Sequence, residues 1–318
     1  MPEWLVEGGL GETRFARIVD GEIVEVRIVL EGIVPAGSVV EAQLLSCGTS
    51  GRNAVALSET GDEYLLPRGA PGVSEGRKLR IEVTRERIPG AEPWKRPLAR
   101  VTESAIGEPA GSEAQPLPFP APYDHLAGYG WDDIIEEARS GIVRFAGGEL
   151  AIQATKAMTL IDVDGLGEPA ELARLGAVAA ARAILRLDIQ GSIGIDLPTA
   201  TGREARQSAA AAVDAILPQP FERTSVNGFG FLQIVRPRRR ASLIELAADR
   251  ASFEARALLR RAAFAPPGPK TLVAAPAVIA VMERHPEWIA ELGRQLGGAV
   301  TLRSDPTLTI SAGHAEPA

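Results

Sequence analysis

The sequence predicts an α/β protein in which a small β domain precedes an alternating α/β domain and a short α/β tail. Three observations carry this prediction. Residues 1–102 hold short apolar or alternating runs separated by glycine-rich turns, the pattern of a small β-barrel or sandwich. From Tyr123 the pattern changes to strand-like runs alternating with long alanine-rich stretches, as in layered strands and helices. Between them, Gly107 to Pro122 brings five prolines (Pro109, Pro116, Pro118, Pro120 and Pro122) without periodicity, which reads as a linker. The expected division is therefore a β domain over 1–102, a linker over 103–122, an α/β domain over 123–264 and a small α/β segment over 265–318.

In the β domain the clearest strands are Gly21-Glu22-Ile23-Val24-Glu25-Val26-Arg27-Ile28-Val29 and Lys78-Leu79-Arg80-Ile81-Glu82-Val83. In the α/β domain, helices are expected over roughly 168–187, 203–216 and 241–263. Ala265-Pro266-Pro267-Gly268-Pro269 then breaks the chain. In the tail, Thr271 to Ala274 reads as a strand, His285-Pro286 begins a helix running to about Leu296, and Ala299 to Leu302 reads as a second strand. No internal repeat is present.

Composition narrows the function classes. A length of 318 residues suggests two domains or one large one, and 45% hydrophobic residues is ample for folded cores. No run reaches the roughly 18 apolar residues of a membrane span, and Met-Pro-Glu-Trp-Leu-Val-Glu does not resemble a signal peptide, so a cytoplasmic protein without a membrane partner is expected. The single cysteine, Cys47, excludes an internal disulfide and a cysteine-rich zinc site, and His125, His285 and His314 lack metal-ligand spacing. A net charge of −7 argues against polyanion binding by the whole surface but leaves room for a local patch at Arg236, Arg238, Arg239 and Arg240. That patch reads either as an RNA contact or as a solvated loop.

The candidate chemistry lies in two apolar runs interrupted by acids, Ala157-Met158-Thr159-Leu160-Ile161-Asp162-Val163-Asp164-Gly165 and Gly191-Ser192-Ile193-Gly194-Ile195-Asp196-Leu197. A carboxylate in a buried strand is costly to desolvate unless it is paired or binds a metal. Strand alternation points Asp162 and Asp164 to one face. If the strand of Asp196 is a neighbour at about 4.8 Å, three carboxylates converge, and a hard cation such as Mg²⁺ would relieve their repulsion. Alternatively the same residues end strands and cap the helices that follow.

In order along the chain, these segments resemble the ribonuclease E/G family. Gly147-Gly148-Glu149-Leu150-Ala151-Ile152 through Gly165 is similar to that family's Gly-Gly-Tyr-Leu-Val-Ile…Ile-Asp-Val-Asn-Ser-Gly. Leu185-Arg186-Leu187-Asp188 through Leu197 resembles its Leu-Arg-Leu-Arg-Asp…Val-Ile-Asp-Phe, and Phe229-Gly230-Phe231-Leu232-Gln233-Ile234-Val235-Arg236-Pro237-Arg238 resembles its Phe-Gly-Leu-Leu-Glu-Met-Thr-Arg-x-Arg. The segment Leu296 to Leu308 is like its closing stretch. More weakly, Asn53 to Gly69 follows a strand pair of its RNA-binding domain.

The resemblance implies an OB-fold-like β-barrel followed by an RNase H-like α/β catalytic domain, and a Mg²⁺-dependent endoribonuclease (with Mn²⁺ as an alternative ion) that cuts single-stranded RNA in processing or decay. It implies Asp162 and Asp196 as metal ligands. Asp164 stands at a supporting asparagine, where it could be a third ligand. Tyr64 is implied as a base-stacking aromatic, although it reads equally as an amphipathic strand residue. Arg236 and Arg238 lie on the implied RNA path. The family's 5′-monophosphate segment and its paired zinc-binding cysteines have no counterpart, so neither a 5′-end preference nor a zinc-linked dimer is expected, while other oligomers stay open. Gln233 replaces a family glutamate, and the loop after Gly165 is shorter. An inactive RNA-binding or ribosome-associated relative, and a small-molecule phosphohydrolase, are the alternatives.

Overall fold

Strands β1 (Glu3–Gly8), β2 (Glu12–Val19) and β3 (Glu22–Leu30) form an antiparallel ribbon that opens the chain of this computed structural model, which describes residues 3–50, 52–90, 94–109, 114–200 and 202–318. The buried phase of β2 carries Glu12, Arg14 and Ala16, so a charged pair occupies positions that an ordinary strand fills with aliphatic side chains.

Next come β4 (Val39–Ser46), β5 (Ala54–Ser58), β6 (Glu63–Leu66), β7 (Lys78–Arg85) and β8 (Leu98–Val101), which close a barrel in the order β4-β5-β6-β8-β7. Its interior holds Leu44, Ala54, Ala56, Tyr64, Leu66, Ile81 and Val83. Small residues face large ones across β5 and β6, with Ala54 opposite Leu66 and Ala56 opposite Tyr64, so the interior fills without crowding.

The chain continues through β9 (Ala114–Pro116), α1 (Trp131–Ser140), β10 (Ile142–Phe145), β11 (Gly148–Ala154), β12 (Thr159–Gly165), α2 (Pro169–Arg186), β13 (Gly191–Asp196), α3 (Arg203–Asp214), β14 (Glu222–Arg223) and β15 (Phe231–Arg236). A six-stranded sheet runs β10-β11-β12-β13-β15-β14; β12 and β13 are parallel, joined through α2, and the other pairs are antiparallel. One face of this sheet is apolar, with Leu150, Ile152, Ile161, Val163, Ile193, Ile195, Leu232 and Ile234 all buried, and α2 packs on it. Glu168 accepts a bond from the Glu171 amide, and Pro169 takes the first helical position, so α2 starts where both residues favour it. The remaining elements are α4 (Leu243–Ala248), α5 (Arg250–Ala263), β16 (Lys270–Ala274), α6 (Pro276–Glu283), α7 (Pro286–Leu296), β17 (Val300–Ser304) and β18 (His314–Pro317), with the strands ordered β17-β16-β18.

The division expected from sequence needs correction. The chain forms a larger unit of Met1–Glu31, Ala114–Arg236 and Ser242–Ala318, and a smaller unit of Gly32–Glu113 and Pro237–Ala241. The barrel thus starts after β3 rather than at residue 1, because β1–β3 form a sheet of their own with β9, which pairs with β1. The proline-rich stretch is no free linker in its second half. Ala114–Pro116 pairs with β1, and Phe119 packs edge-on against Phe264 at 5.4 Å between ring centroids. Residues 110–113 of that stretch lie outside the described residues. The helix expected over 241–263 is broken at Asp249, whose side chain accepts from the Ser252 amide and so caps α5.

A buried ion network ties the first strands to α5 within the larger unit. Arg14 bridges Glu7 at 2.7 Å and Glu12 at 2.6 Å. Arg256 reaches Glu12 at 2.9 Å, and Arg260 reaches Glu7 at 2.9 Å and Asp124 at 2.5 Å. Three acids meet three guanidiniums, so the charges cancel.

Candidate active site

Alternation along β12 buries Ile161 and Val163 and leaves Asp162 and Asp164 on the open face of the six-stranded sheet. On β13, Ile193 and Ile195 are buried while Asp196 emerges at the strand end on that same open face. Asp162 and Asp196 are direct register partners across the parallel pair, which sets their backbones about 4.8 Å apart. All three carboxylates are exposed, because the apolar residues of each strand are on the opposite phase, so the desolvation cost of a buried strand falls on them only in part.

Proximity still acts on them. The Asp162 carboxyl is raised above its usual value, first by partial desolvation and then by the negative charges of Asp164 and Asp196. Among the described residues no guanidinium or ammonium relieves this repulsion; the opposing influence is the Val163 backbone amide. An unrelieved pair of hard oxygen donors suits a hard divalent cation, and Mg²⁺ is commonly held by one or two carboxylates, with water and substrate phosphate filling its other positions. Among the described residues no group of three or more His, Cys, Asp or Glu is placed to hold a metal, so Asp164 does not complete a three-carboxylate cage. The residues that fit a cation are Asp162 and Asp196.

Around the pair, the register lines up Ala151, Asp162, Asp196 and Phe231 across four strands. The small Ala151 leaves Asp162 uncovered on one side. The next row places Leu160, Gly194 and Gln233 side by side. The Phe231 ring lies over Gly194, where an added Cβ would come within 2.5 Å of Cζ. Beyond Asp196, the Asn227–Phe231 loop is bonded to the end of β13, the Leu197 amide donating to Gly230 O at 3.2 Å. Phe229, on that loop, is 82% exposed. The sequence reading passed over Phe229 and Phe231. The outward phase of Phe231-Gln233-Val235, against inward Leu232 and Ile234, was the available signal for Phe231.

The three residues assigned to RNA contact fare differently. Tyr64 is corrected: at 2% exposure it is a core residue of the barrel, opposite Ala56, with no face free for a base. Burial, followed by the charge of Asp62, pushes its phenol up to about 12. Arg236 ends β15 half-buried and donates to Ile189 O at 2.9 Å, and desolvation lowers its pKa. Arg238 belongs with the barrel unit, half-buried and close enough to Arg85 to add to the desolvation that lowers that guanidinium. Its neighbours are stitched into the same unit by buried Glu86, which pairs with Arg240 at 3.3 Å and donates its amide to Arg239 O. The arginine run is therefore largely a packing element. Asp188, in a left-handed turn after α2, is buried and accepts from Gln190 rather than joining the carboxylates.

A cavity of about 770 Å³ lies elsewhere, between α7 and β17, lined by Met282, Ile289, Val300 and Leu302 among others. Its lining is mainly apolar, with Glu283 and Arg294 as its charged members, whereas the sheet face brings carboxylates side by side. No helix among the described residues is long and apolar enough to cross a membrane. No family model matches the chain, and no curated protein matches it.

Proposed function

We propose that the chain is a Mg²⁺-dependent endoribonuclease for single-stranded RNA, related to the ribonuclease E/G family, with Asp162 and Asp196 as its metal ligands. The observation that carries this reading is the side-by-side placement of those two carboxylates on adjacent parallel strands, exposed and, among the described residues, without a cationic partner. The barrel supports the RNA-binding part: five strands with the fifth inserted between the third and fourth follow the Greek-key path of an OB-fold. The six-stranded sheet with acids on its two parallel central strands supports the RNase H-like part.

Mg²⁺ held by Asp162 and Asp196 would supply Lewis-acid polarisation of phosphoryl oxygens and lower the pKa of a bound water near neutral pH. The chain's own contribution is geometric and electrostatic. Asp162 and Asp196 would hold the ion on the open face of the sheet, where both are exposed. Asp164 adds negative charge beside Asp162 and reinforces its demand for a cation. No protein nucleophile is needed. That no group of three or more His, Cys, Asp or Glu among the described residues is placed to hold a metal favours a second reading, an RNA-binding relative without cleavage.

The test is cleavage of an unstructured, internally labelled RNA in Mg²⁺ or EDTA by the wild-type protein and by Asp162→Asn and Asp196→Asn. The expected result is metal-dependent products that each substitution abolishes while the circular dichroism spectrum is kept. Cleavage that survives in both variants removes the site assignment, and retention without cleavage in all three proteins favours the second reading.

A further inference from the structure

We infer that the Asn227–Phe231 loop is a nucleobase platform, on which Phe229 stacks against an unpaired base of the strand whose phosphate lies at Asp162 and Asp196. This rests on the reading above, because a nucleic acid strand brings a phosphate and a base to these two places together.

The loop is built to hold Phe229 outward. Asn227 Oδ1 accepts from the Phe229 amide at 2.9 Å and from the Phe231 amide at 3.1 Å. Asn227 and Phe231 also pair through their backbones at 3.0 Å, and the Gly230 amide donates to Asn227 O at 3.2 Å. Two further bonds fasten the loop to the chain just past Asp196: Leu197 N to Gly230 O, and Thr199 Oγ1 to Phe229 O, both at 3.2 Å. Gly230 is required for this approach, with φ of +93° and only 2.1 Å between its would-be Cβ and Leu197 O. An isolated exposed apolar residue needs no explanation. Phe229 is fixed in place rather than merely exposed: its loop is fastened to the end of the strand that carries Asp196, and two residues on, Phe231, the register partner of Asp196, lies with Leu160 over Gly194 on the open sheet face.

The chemistry selects the occupant. A face bearing Asp162, Asp164 and Asp196 repels an anionic backbone in the absence of a cation, so affinity for a strand must come largely from uncharged groups. A rigidly presented ring supplies it, because every base has a π-face and the ring loses little freedom on binding. Such a contact is open to unpaired bases and closed to those stacked inside a duplex, and it reads no particular base.

The experiment is a cycle between residue and base, using the full-length protein, Mg²⁺ and a short unstructured RNA, with an abasic nucleotide moved through successive positions. On intact RNA, Phe229→Ala is expected to raise KM roughly 5- to 100-fold, with kcat moved much less, and Phe229→Trp to restore KM. At one position the abasic RNA should cost the wild type the same factor and cost Phe229→Ala nothing more. The side chain is 82% exposed, so the melting temperature should not move, which separates a binding loss from a folding loss. Wild-type cleavage with unchanged KM in Phe229→Ala, or with no coupling at any position, overturns the platform and leaves the nuclease standing. RNA retention that shows the coupling without cleavage upholds the platform and overturns the nuclease. If the wild type neither retains nor cleaves RNA, both are overturned.

Discussion

At the scale of single residues, Asp162 is where the electrostatics are most exposed to measurement. Its pKa is raised in the folded protein by partial desolvation and by Asp164 and Asp196. A carboxyl raised by folding contributes stability while protonated, below its unfolded pKa, and that contribution is lost as pH rises through the folded value. At neutral pH the metal-free protein therefore carries the repulsion in full. Asp162→Asn in EDTA is expected to raise Tm by about 1 °C, the scale of one surface charge pair in a chain of this size. The same substitution should abolish the rise in Tm that Mg²⁺ gives the wild type, and that rise should fade as pH falls through the raised pKa of Asp162. Differential scanning fluorimetry reads both, and a lower Tm for the variant in EDTA would contradict the repulsion. The alternation that made these carboxylates legible does not tell which face of the sheet is covered. Tyr64 failed for a related reason. Val55, Leu57 and Leu65 on one phase are nearly as apolar as Ala54, Ala56, Tyr64 and Leu66 on the other, and only barrel closure decides which phase is interior.

At the scale of elements, the strands and helices near the carboxylates were legible because each announces itself locally. β12, β13 and α2 carry a period of two or a capped helical run within a few residues of where the structure has them. What local pattern could not reveal is pairing across the chain. Arg256 and Arg260 are spaced as solvated charges on one face of α5, yet both are buried against Glu12 and Glu7, 244 and 253 residues away. The short run Ala114–Pro116 is a strand only because β1 offers it an edge. The ion network gives the third test. Glu7, fully buried, is shared by Arg14 and Arg260, so Glu7→Ala leaves both guanidiniums without that partner in a water-poor interior. Breaking a buried pair in this way costs about 3–5 kcal/mol. Urea denaturation should show that loss, whereas removing the exposed pair Arg174–Glu171 should leave the midpoint nearly unchanged.

At the scale of the whole molecule, the chain path assigns stability unevenly. The barrel unit is inserted between Glu31 and Ala114, and the larger unit needs both ends of the sequence to assemble its network. In that network burial alone would raise the Glu12 carboxyl, but the guanidiniums of Arg14 and Arg256 outweigh it and hold the group below the usual carboxylate range. Asp124 behaves alike: burial is overcome by Arg260 and by the Leu126 and Ala127 amides. For carboxyls depressed by folding the sign is opposite to that of Asp162. Their stabilisation is present above the unfolded pKa and is lost as pH falls through the folded values. The larger unit should therefore keep a flat urea midpoint from neutral pH to about pH 5 and lose stability below about pH 4. Tryptophan emission reports this selectively, since Trp131 at 2% and Trp288 at 7% exposure are buried in the larger unit, whereas Trp94 of the barrel unit is already 74% exposed. Glu12→Gln supplies the control. It should lower the neutral midpoint, because Arg14 and Arg256 lose a charged partner, and it should make the acid decline shallower, because one depressed carboxyl no longer titrates. A variant whose midpoint runs parallel to the wild type down to low pH would place the acid sensitivity in carboxylates outside the network.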